Sequence, residues 1–178
     1  MNISMYQASI LPLMHSLSNL VHILEKGQAY AEAKNIEPEA LINFRLYPDM
    51  FPLKKQVYFA SYISTKGAAK LAGLEPPIIE DNQTSFVELI DMTNNSISYL
   101  KTFKPEQIDG RESKTIEVNF RGNTLTFEGL SYLMYVTIPD FYFHVITTYD
   151  ILRHCGVEVG KTDFLGTKES LDNFLART

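Results

Sequence analysis

The sequence contains one cysteine, Cys155, and no tryptophan in its 178 residues. A lone cysteine excludes an intramolecular disulfide, so we expect an intracellular protein and place it in the cytoplasm. No run of lysine and arginine is present and the formal net charge is -5, so we do not expect nucleic acid as a partner. We also expect no membrane partner, because no uninterrupted apolar run approaches the ~18 residues of a membrane-spanning helix.

The composition is that of an ordinary globular protein. Hydrophobic residues make up 45% of the chain and charged residues 21%, which excludes a disordered or fibrous chain. The sequence also shows no internal repeat and no low-complexity tract. Its length suits one continuous hydrophobic core. We therefore expect residues 1–178 to form a single domain.

Three long segments in the first hundred residues repeat apolar side chains at the spacing of amphipathic helices. The first segment follows Ser4 and Gln7, which have the spacing of a capping box. The second begins at Pro52, a residue that suits the first turn of a helix. The third follows a second capping-box pair, Ser85 and Glu88.

After the third helical segment, the apolar period changes from helical spacing to alternation. Apolar and polar residues alternate on both sides of Gly122-Asn123, which predicts a β-hairpin closed by a Gly-Asn turn. A fourth long helix is expected from Leu130 to Cys155, and a short helix from Thr167 to Arg177. The fold class that follows is all-α: a four-helix bundle with a β-hairpin inserted between the third and fourth long helices.

The fourth helix carries a candidate functional pair. Asp140 and His144 stand four residues apart, so their side chains lie one above the other. A helical projection places His144 within the apolar face and Asp140 at its border, with Leu130 and Met134 at the centre of that face. Inward-facing polar groups need hydrogen bonds, a partner charge or a metal. Gln56, on the inner side of the second helix, has the same need.

Two interpretations of this pair remain open. In the first, Asp140 and His144 satisfy each other, or Asp140 caps backbone that a kink at Pro139 exposes, and the pair fixes helix packing. In the second, they supply two ligands of a divalent metal or act as a general-base dyad. An open metal site has three protein ligands, and Gln56 is the best inward-facing candidate for the third. These patterns assign no catalytic residue. Thr137 extends the same polar seam by one turn.

Four stretches of the sequence together resemble a known family. They read SMYQAS, RLYPDMFPL, FKPEQIDG and FYFHVITTYDILRHCGVEVGKTDFLG, at Ser4–Ser9, Arg45–Leu53, Phe103–Gly110 and Phe141–Gly166. The chain resembles a domain-of-unknown-function branch of the DinB/YfiT-like four-helix superfamily. This resemblance covers most of the chain and implies a DinB-like bundle.

The resemblance also implies a degenerate metal site. In the wider superfamily, a histidine on the second helix and an HxxxH pair on the fourth bind a divalent metal such as zinc or nickel. Counting back from Gly156 puts the second histidine of that pair on His144 and the first on Asp140. The second-helix histidine falls near Gln56 to Ala60, where this sequence has none. Asp140, His144 and Gln56 are therefore the candidate metal ligands.

Two classes of function follow from the resemblance and the polar cluster. Superfamily members include thiol-dependent transferases and isomerases, so one expectation is a small-molecule transferase or hydrolase. The alternative is a non-catalytic module for small-ligand binding or dimerisation, whose polar cluster is structural. Bundles of this type often pair through helix faces, so we expect a homodimer.

Overall fold

The computed structural model describes residues 3–120 and 122–176. In this part of the chain, none of the helices is long and apolar enough to cross a membrane. The elements follow in the order α1 (Met5–Lys34), α2 (Pro38–Ile42), α3 (Leu53–Ala72), α4 (Phe86–Leu100), α5 (Pro105–Ile108), β1 (Thr115–Phe120), β2 (Asn123–Glu128), α6 (Gly129–Tyr132), a π-helical turn (Leu133–Thr137), α7 (Ile138–His154), α8 (Lys161–Leu165) and α9 (Lys168–Leu175).

The four predicted long helices are α1, α3, α4 and the segment that runs from α6 through α7. Together with the hairpin that precedes α6, they confirm the predicted all-α bundle. Helix α3 packs against both α4 and α7, and α1 packs mainly against α4. The facing sides form one hydrophobic core, in which the largest fully buried side chains include Leu53, Phe86 and Phe141.

Local signals set the helix ends as the sequence predicts. The Ser4 hydroxyl accepts a hydrogen bond from the Gln7 N–H, and the Ser85 hydroxyl accepts one from the Glu88 N–H. Each pair forms a complete capping box, which satisfies backbone donors that a helix start leaves free. The predicted C-terminal helix is α9, capped by Thr167; its expected last residue, Arg177, lies outside the described residues.

The hairpin has a different turn from the one predicted. Strands β1 and β2 pair antiparallel, with Phe120 opposite Asn123, so Asn123 opens β2 instead of forming the turn. The predicted Gly-Asn turn was therefore wrong at Asn123. Gly122 has a φ of 82°, a left-handed conformation that glycine adopts without steric cost.

The π-helical turn shifts the inner face of the fourth long helix. The N–H of Ile138 donates to the carbonyl of Leu133, five residues back, immediately before Pro139, which has no N–H to donate. The wider turn accommodates an extra residue, so regular helical spacing does not extend through it. Leu130 and Met134, predicted at the centre of the apolar face, are each 45% exposed, whereas Leu133 is fully buried.

After α7 the chain returns along α1 through α8, an element that the sequence patterns did not predict. The Asp163 carboxylate accepts hydrogen bonds from the Gly160 N–H at 2.7 Å, Lys26 Nζ at 3.0 Å and His22 Nε2 at 3.1 Å. Partial burial works against ionisation, but these donors outweigh it and hold the pKa of Asp163 below its ordinary value. Asp163 therefore holds the C-terminal segment to α1 as a carboxylate.

Candidate functional site

His144 lies at the junction between α7 and α3. Its Nδ1 is 2.6 Å from Oε1 of Gln56, and the residue is only 7% exposed. This contact satisfies the buried amide that the sequence placed on the inner side of the second long helix. It also brings together two of the three predicted site residues from helices separated by about half the chain.

The direction of the Gln56 amide determines which nitrogen of His144 carries a proton. Gln56 Nε2 donates to the backbone carbonyl of Phe51 at 3.0 Å, so its Oε1 is the atom that faces the imidazole. A carbonyl oxygen can only accept, and Nδ1 must therefore be the donor. In the neutral ring, Nε2 is then left with a free lone pair.

Asp140 lies beside that second nitrogen. Its Oδ1 is 3.5 Å from His144 Nε2, and the Asp140 side chain is 52% exposed. The carboxylate therefore lies next to Nε2, on the side of the ring opposite Gln56. The three predicted residues are thus in contact, with Gln56 at Nδ1 and Asp140 at Nε2 of the His144 imidazole.

Aromatic side chains fix the plane of the imidazole. The Phe59 ring stacks on His144 with centroids 4.9 Å apart and an interplanar angle of 21°. Phe143 meets the ring edge-on, with centroids 5.2 Å apart, and Phe51 packs against Phe59 at 5.2 Å. These contacts limit rotation of the ring, so Nε2 keeps one direction.

His144 and Asp140 line an open cleft of about 630 Å³ between α3, the π-helical turn and the hairpin. This volume lies within the range of small-molecule sites. Most of the wall is aromatic or aliphatic, and strand β1 contributes three consecutive residues to it. The lining residues are Phe51, Phe59, Tyr62, Ile63, Lys66, Val118, Asn119, Phe120, Tyr132, Tyr135, Val136, Thr137, Pro139, Asp140 and His144.

Two hydroxyl-bearing side chains of the cleft are buried. Tyr132 is 3% exposed, and burial raises the pKa of its phenol. The nearby Thr137 hydroxyl partly offsets this rise, although the two groups do not meet the geometry of a hydrogen bond. Thr137 is 1% exposed, and its Oγ1 has no hydrogen-bond partner among the described residues.

The residues present supply two possible metal ligands on one side of the imidazole. Asp140 Oδ1 and His144 Nε2 are 3.5 Å apart, which suits neighbouring ligands of one tetrahedral ion with bonds of ~2.1 Å. Gln56 lies at the other nitrogen, where it orients the ring. Two ligands fall short of the three of an open catalytic site, so this geometry supports no metal-dependent step. Metal binding by Asp140, His144 and Gln56 stays a prediction.

Within residues 3–120 and 122–176, no group of three or more histidine, cysteine, aspartate or glutamate side chains is arranged to hold a metal ion.

Sequence reasoning missed the aromatic half of the site. Phe59 follows Gln56 by three residues on α3, so helical spacing could have placed it beside the inward-facing amide. Phe51 precedes α3 and acts through its backbone carbonyl, for which the sequence contains no signal. Thr148, one turn after His144 on the same helix, donates to the carbonyl of His144 at 2.9 Å.

Comparisons with known proteins agree on the fold and family. A family model described as "Domain of unknown function (DUF1993)" matches residues 5–165. A solved structure of a DinB family member protein from Shewanella denitrificans is similar to this chain, with a TM-score of 0.82 and 35% sequence identity. The match covers 91% of this chain and 92% of that protein. No curated protein matches the sequence significantly.

Proposed function

Because this chain belongs to the DUF1993 family of DinB-like helical proteins, we propose that it binds a small, largely apolar molecule in the aromatic cleft. In this proposal His144 acts as a general base on the bound molecule. Such a base activates a hydroxyl group or a water molecule for attack, a step that small-molecule transferases and hydrolases share.

One observation carries the proposal: the hydrogen bonds from His144 through Gln56 to the Phe51 carbonyl. They place the proton on Nδ1 and leave the Nε2 lone pair beside the cleft. His144 also lines the cleft, so a bound molecule can reach the ring from that side. Aromatic contacts on two sides of the ring support the proposal further, because they hold the ring in one orientation.

The proton transfer uses groups that are already in place. The proton leaves an O–H group of the ligand and binds His144 Nε2, while the electron pair stays on the ligand oxygen. Asp140 then faces the new N–H and its charge, and Gln56 Oε1 continues to accept from Nδ1. General-base assistance of this kind contributes roughly 10²- to 10⁴-fold in rate.

The proposal is tested by comparing 4-nitrophenol with 4-nitroanisole, which has the same ring but no hydroxyl proton. We expect the wild-type protein to bind the phenol more tightly, as measured by calorimetry, and His144→Phe to lose that preference. The matched control is His154→Phe on the same helix, since His154 is exposed and already packs against Phe44. This control should retain the preference.

The His144→Phe variant leaves the amide of Gln56 buried without its partner, which lowers stability. A double variant, Gln56→Leu with His144→Phe, removes both polar groups and keeps the comparison interpretable if the single variant unfolds. The proposal is wrong if wild-type protein binds neither compound. It is also wrong if His144→Phe or the double variant still binds 4-nitrophenol more tightly than 4-nitroanisole.

A non-catalytic module is the second candidate, and the Gln56–His144 contact itself favours it. That contact joins α3 to α7 and satisfies both buried groups within the chain, as a purely structural cluster would. This candidate predicts that the double variant folds at least as stably as wild type and that no ligand distinguishes them. Homodimerisation through the α3 tyrosines Tyr58 and Tyr62 belongs to this candidate, and sedimentation equilibrium measures it.

A further inference from the structure

Two buried hydroxyl oxygens of the described residues, Thr137 Oγ1 and Ser61 Oγ, have no hydrogen-bond partner. Burying a hydroxyl without a partner lowers stability, so each such group requires an explanation. The two differ in location. Thr137 lines the cleft that contains His144, whereas Ser61 is not one of its lining residues. The Thr137 side chain is therefore part of the cleft wall, whereas Ser61 lies outside it.

The position of Thr137 depends on two unusual features of the fold. It is the last residue of the π-helical turn, a type of turn found frequently at functional sites. It also packs on Gly67 of α3, where an added Cβ would lie 2.4 Å from Thr137 Cγ2. Because that glycine has no side chain, the turn approaches α3 closely and the Thr137 side chain is fixed against it.

Tyr132 provides a second hydroxyl to the same wall. It lies on α6, just before the π-helical turn, and lines the cleft although it is almost fully buried. Both the Tyr132 phenol and the Thr137 hydroxyl can donate a hydrogen bond. The wall of the cleft therefore carries two buried hydroxyl donors together with His144, whose Nε2 is the proposed acceptor.

We infer that Thr137 and Tyr132 donate hydrogen bonds to the oxygen of a phenol-type ligand whose proton His144 accepts. This inference rests on the proposed function of the same cleft and specifies its ligand class: a small aromatic molecule with an acidic hydroxyl group. The aromatic walls contact the ring of the ligand. Its O–H bond breaks, the proton binds Nε2, and the electron pair remains on the oxygen.

Electrostatics explain why such donors are needed. The phenolate oxygen carries a negative charge near the Asp140 carboxylate, which repels it. Hydrogen bonds from neutral hydroxyl groups stabilise the oxyanion without introducing a competing charge. Lys66 also lines the cleft, but its Nζ lies over the Tyr62 ring, 5.2 Å from the centroid. Among the hydroxyl groups of the wall, those of Thr137 and Tyr132 belong to buried side chains, which packing holds in place.

The experiment uses 4-nitrophenol, because its phenolate absorbs visible light and the neutral phenol does not. At a pH where the free probe is mostly protonated, wild-type protein should increase the phenolate absorption on binding. Thr137→Val and Tyr132→Phe should each bind the phenolate roughly tenfold more weakly, as expected for the loss of one charge-assisted hydrogen bond. Ser61→Ala removes the unpartnered hydroxyl outside the cleft and should bind as wild type does.

Stability without the probe separates a ligand-binding role from a structural one. Thr137→Val should unfold at the same or a higher urea concentration than wild type, because the hydroxyl that it removes has no partner to lose. A structural hydroxyl would give the opposite result, a lower midpoint, and that outcome overturns the inference. Ser61→Ala supplies the matched comparison for a buried hydroxyl that is not exposed to ligand.

The outcomes distinguish this inference from the general-base proposal. If Thr137→Val and Tyr132→Phe bind the phenolate as tightly as wild type, the inference is wrong and the general-base proposal stands. The inference is also wrong, and the general-base proposal stands, if wild type binds 4-nitrophenol without an increase in phenolate absorption but still prefers it to 4-nitroanisole in a way that requires His144. If wild type does not bind the probe, both are wrong.

Discussion

Gln56 Oε1 lies 2.6 Å from His144 Nδ1, and this contact joins the second and fourth long helices of the bundle. Both side chains are almost fully buried, so each makes the hydrogen bond that a water molecule would otherwise make to the other. The energy of the pair is consequently asymmetric: removing one member strands a buried polar group, whereas removing both does not.

A double-mutant cycle measures this asymmetry. Gln56→Leu strands the Nδ1 proton of His144 and should lower the free energy of unfolding by about 1–3 kcal/mol. Gln56→Leu combined with His144→Phe should lose less than the sum of the two single changes. Urea denaturation followed by circular dichroism gives all four values. Additive losses would mean that the two side chains do not interact.

The tautomer of His144 is a separate prediction. Nitrogen-15 NMR of histidine-labelled protein should show His144 with its proton on Nδ1 at a pH where the ring is neutral. In Gln56→Leu, the tautomer with the proton on Nε2 should become populated, because Asp140 is then the nearer acceptor. Finding the Nε2 proton in the wild-type protein would remove the structural basis for a general base.

Gly67→Ala tests the packing of the π-helical turn on α3. In a helix interior this change usually stabilises, by about 0.5–1 kcal/mol. Here the new methyl group overlaps the Thr137 methyl group, so we expect a net loss of about 1–3 kcal/mol in the free energy of unfolding. Adding Thr137→Ala should restore part of the loss. A stable Gly67→Ala single variant would show that the turn moves away easily.

Asp163 predicts how stability depends on pH. Its folded-state pKa lies below the ordinary value, so its contribution is present above that ordinary value and is lost as pH falls through the folded pKa. Asp163→Asn should therefore destabilise the protein at neutral pH and have progressively less effect in acid. Thermal denaturation at several pH values measures the difference from wild type.

The control for Asp163 is Asp172→Asn on α9. Asp172 pairs with Lys168 at 2.6 Å on an exposed helix surface, a type of pair that contributes only about 0.3–0.5 kcal/mol. Asp172→Asn should therefore change the stability of the protein little at any pH. Equal effects of the two substitutions would show that the donors around Asp163 do not hold the C-terminal segment.

The sequence was sufficient for features that local chemistry determines. Capping boxes at Ser4 and Ser85 fix two helix starts, and the four-residue spacing of Asp140 and His144 places the pair on one side of a helix. These are short-range relations, and each depends on backbone geometry that a few residues set. The same reasoning placed Gln56 on the inner side of the second long helix, where the structure buries it.

Features that depend on tertiary packing were not predictable from spacing alone. The inner face before Thr137 was misplaced because a π-helical turn has no distinct residue pattern, and Pro139 permits several responses in the helix before it. Gln56 lies at Nδ1 of His144 and Asp140 at Nε2, and the protonation of the two nitrogens follows from the orientation of the Gln56 amide. That direction is set by the Phe51 carbonyl, a backbone atom whose position no side-chain pattern encodes.

The π-helical turn makes the number of residues between the hairpin and α7 as important as their identity. Deleting one residue from 133–137 would allow a regular α-helix, and everything before it would rotate by about 100° around the helix axis. The hairpin would then carry Val118, Asn119 and Phe120 away from the cleft that they line. Relatives whose chains differ by one residue in this turn would have the same four helices around a cavity with a different wall.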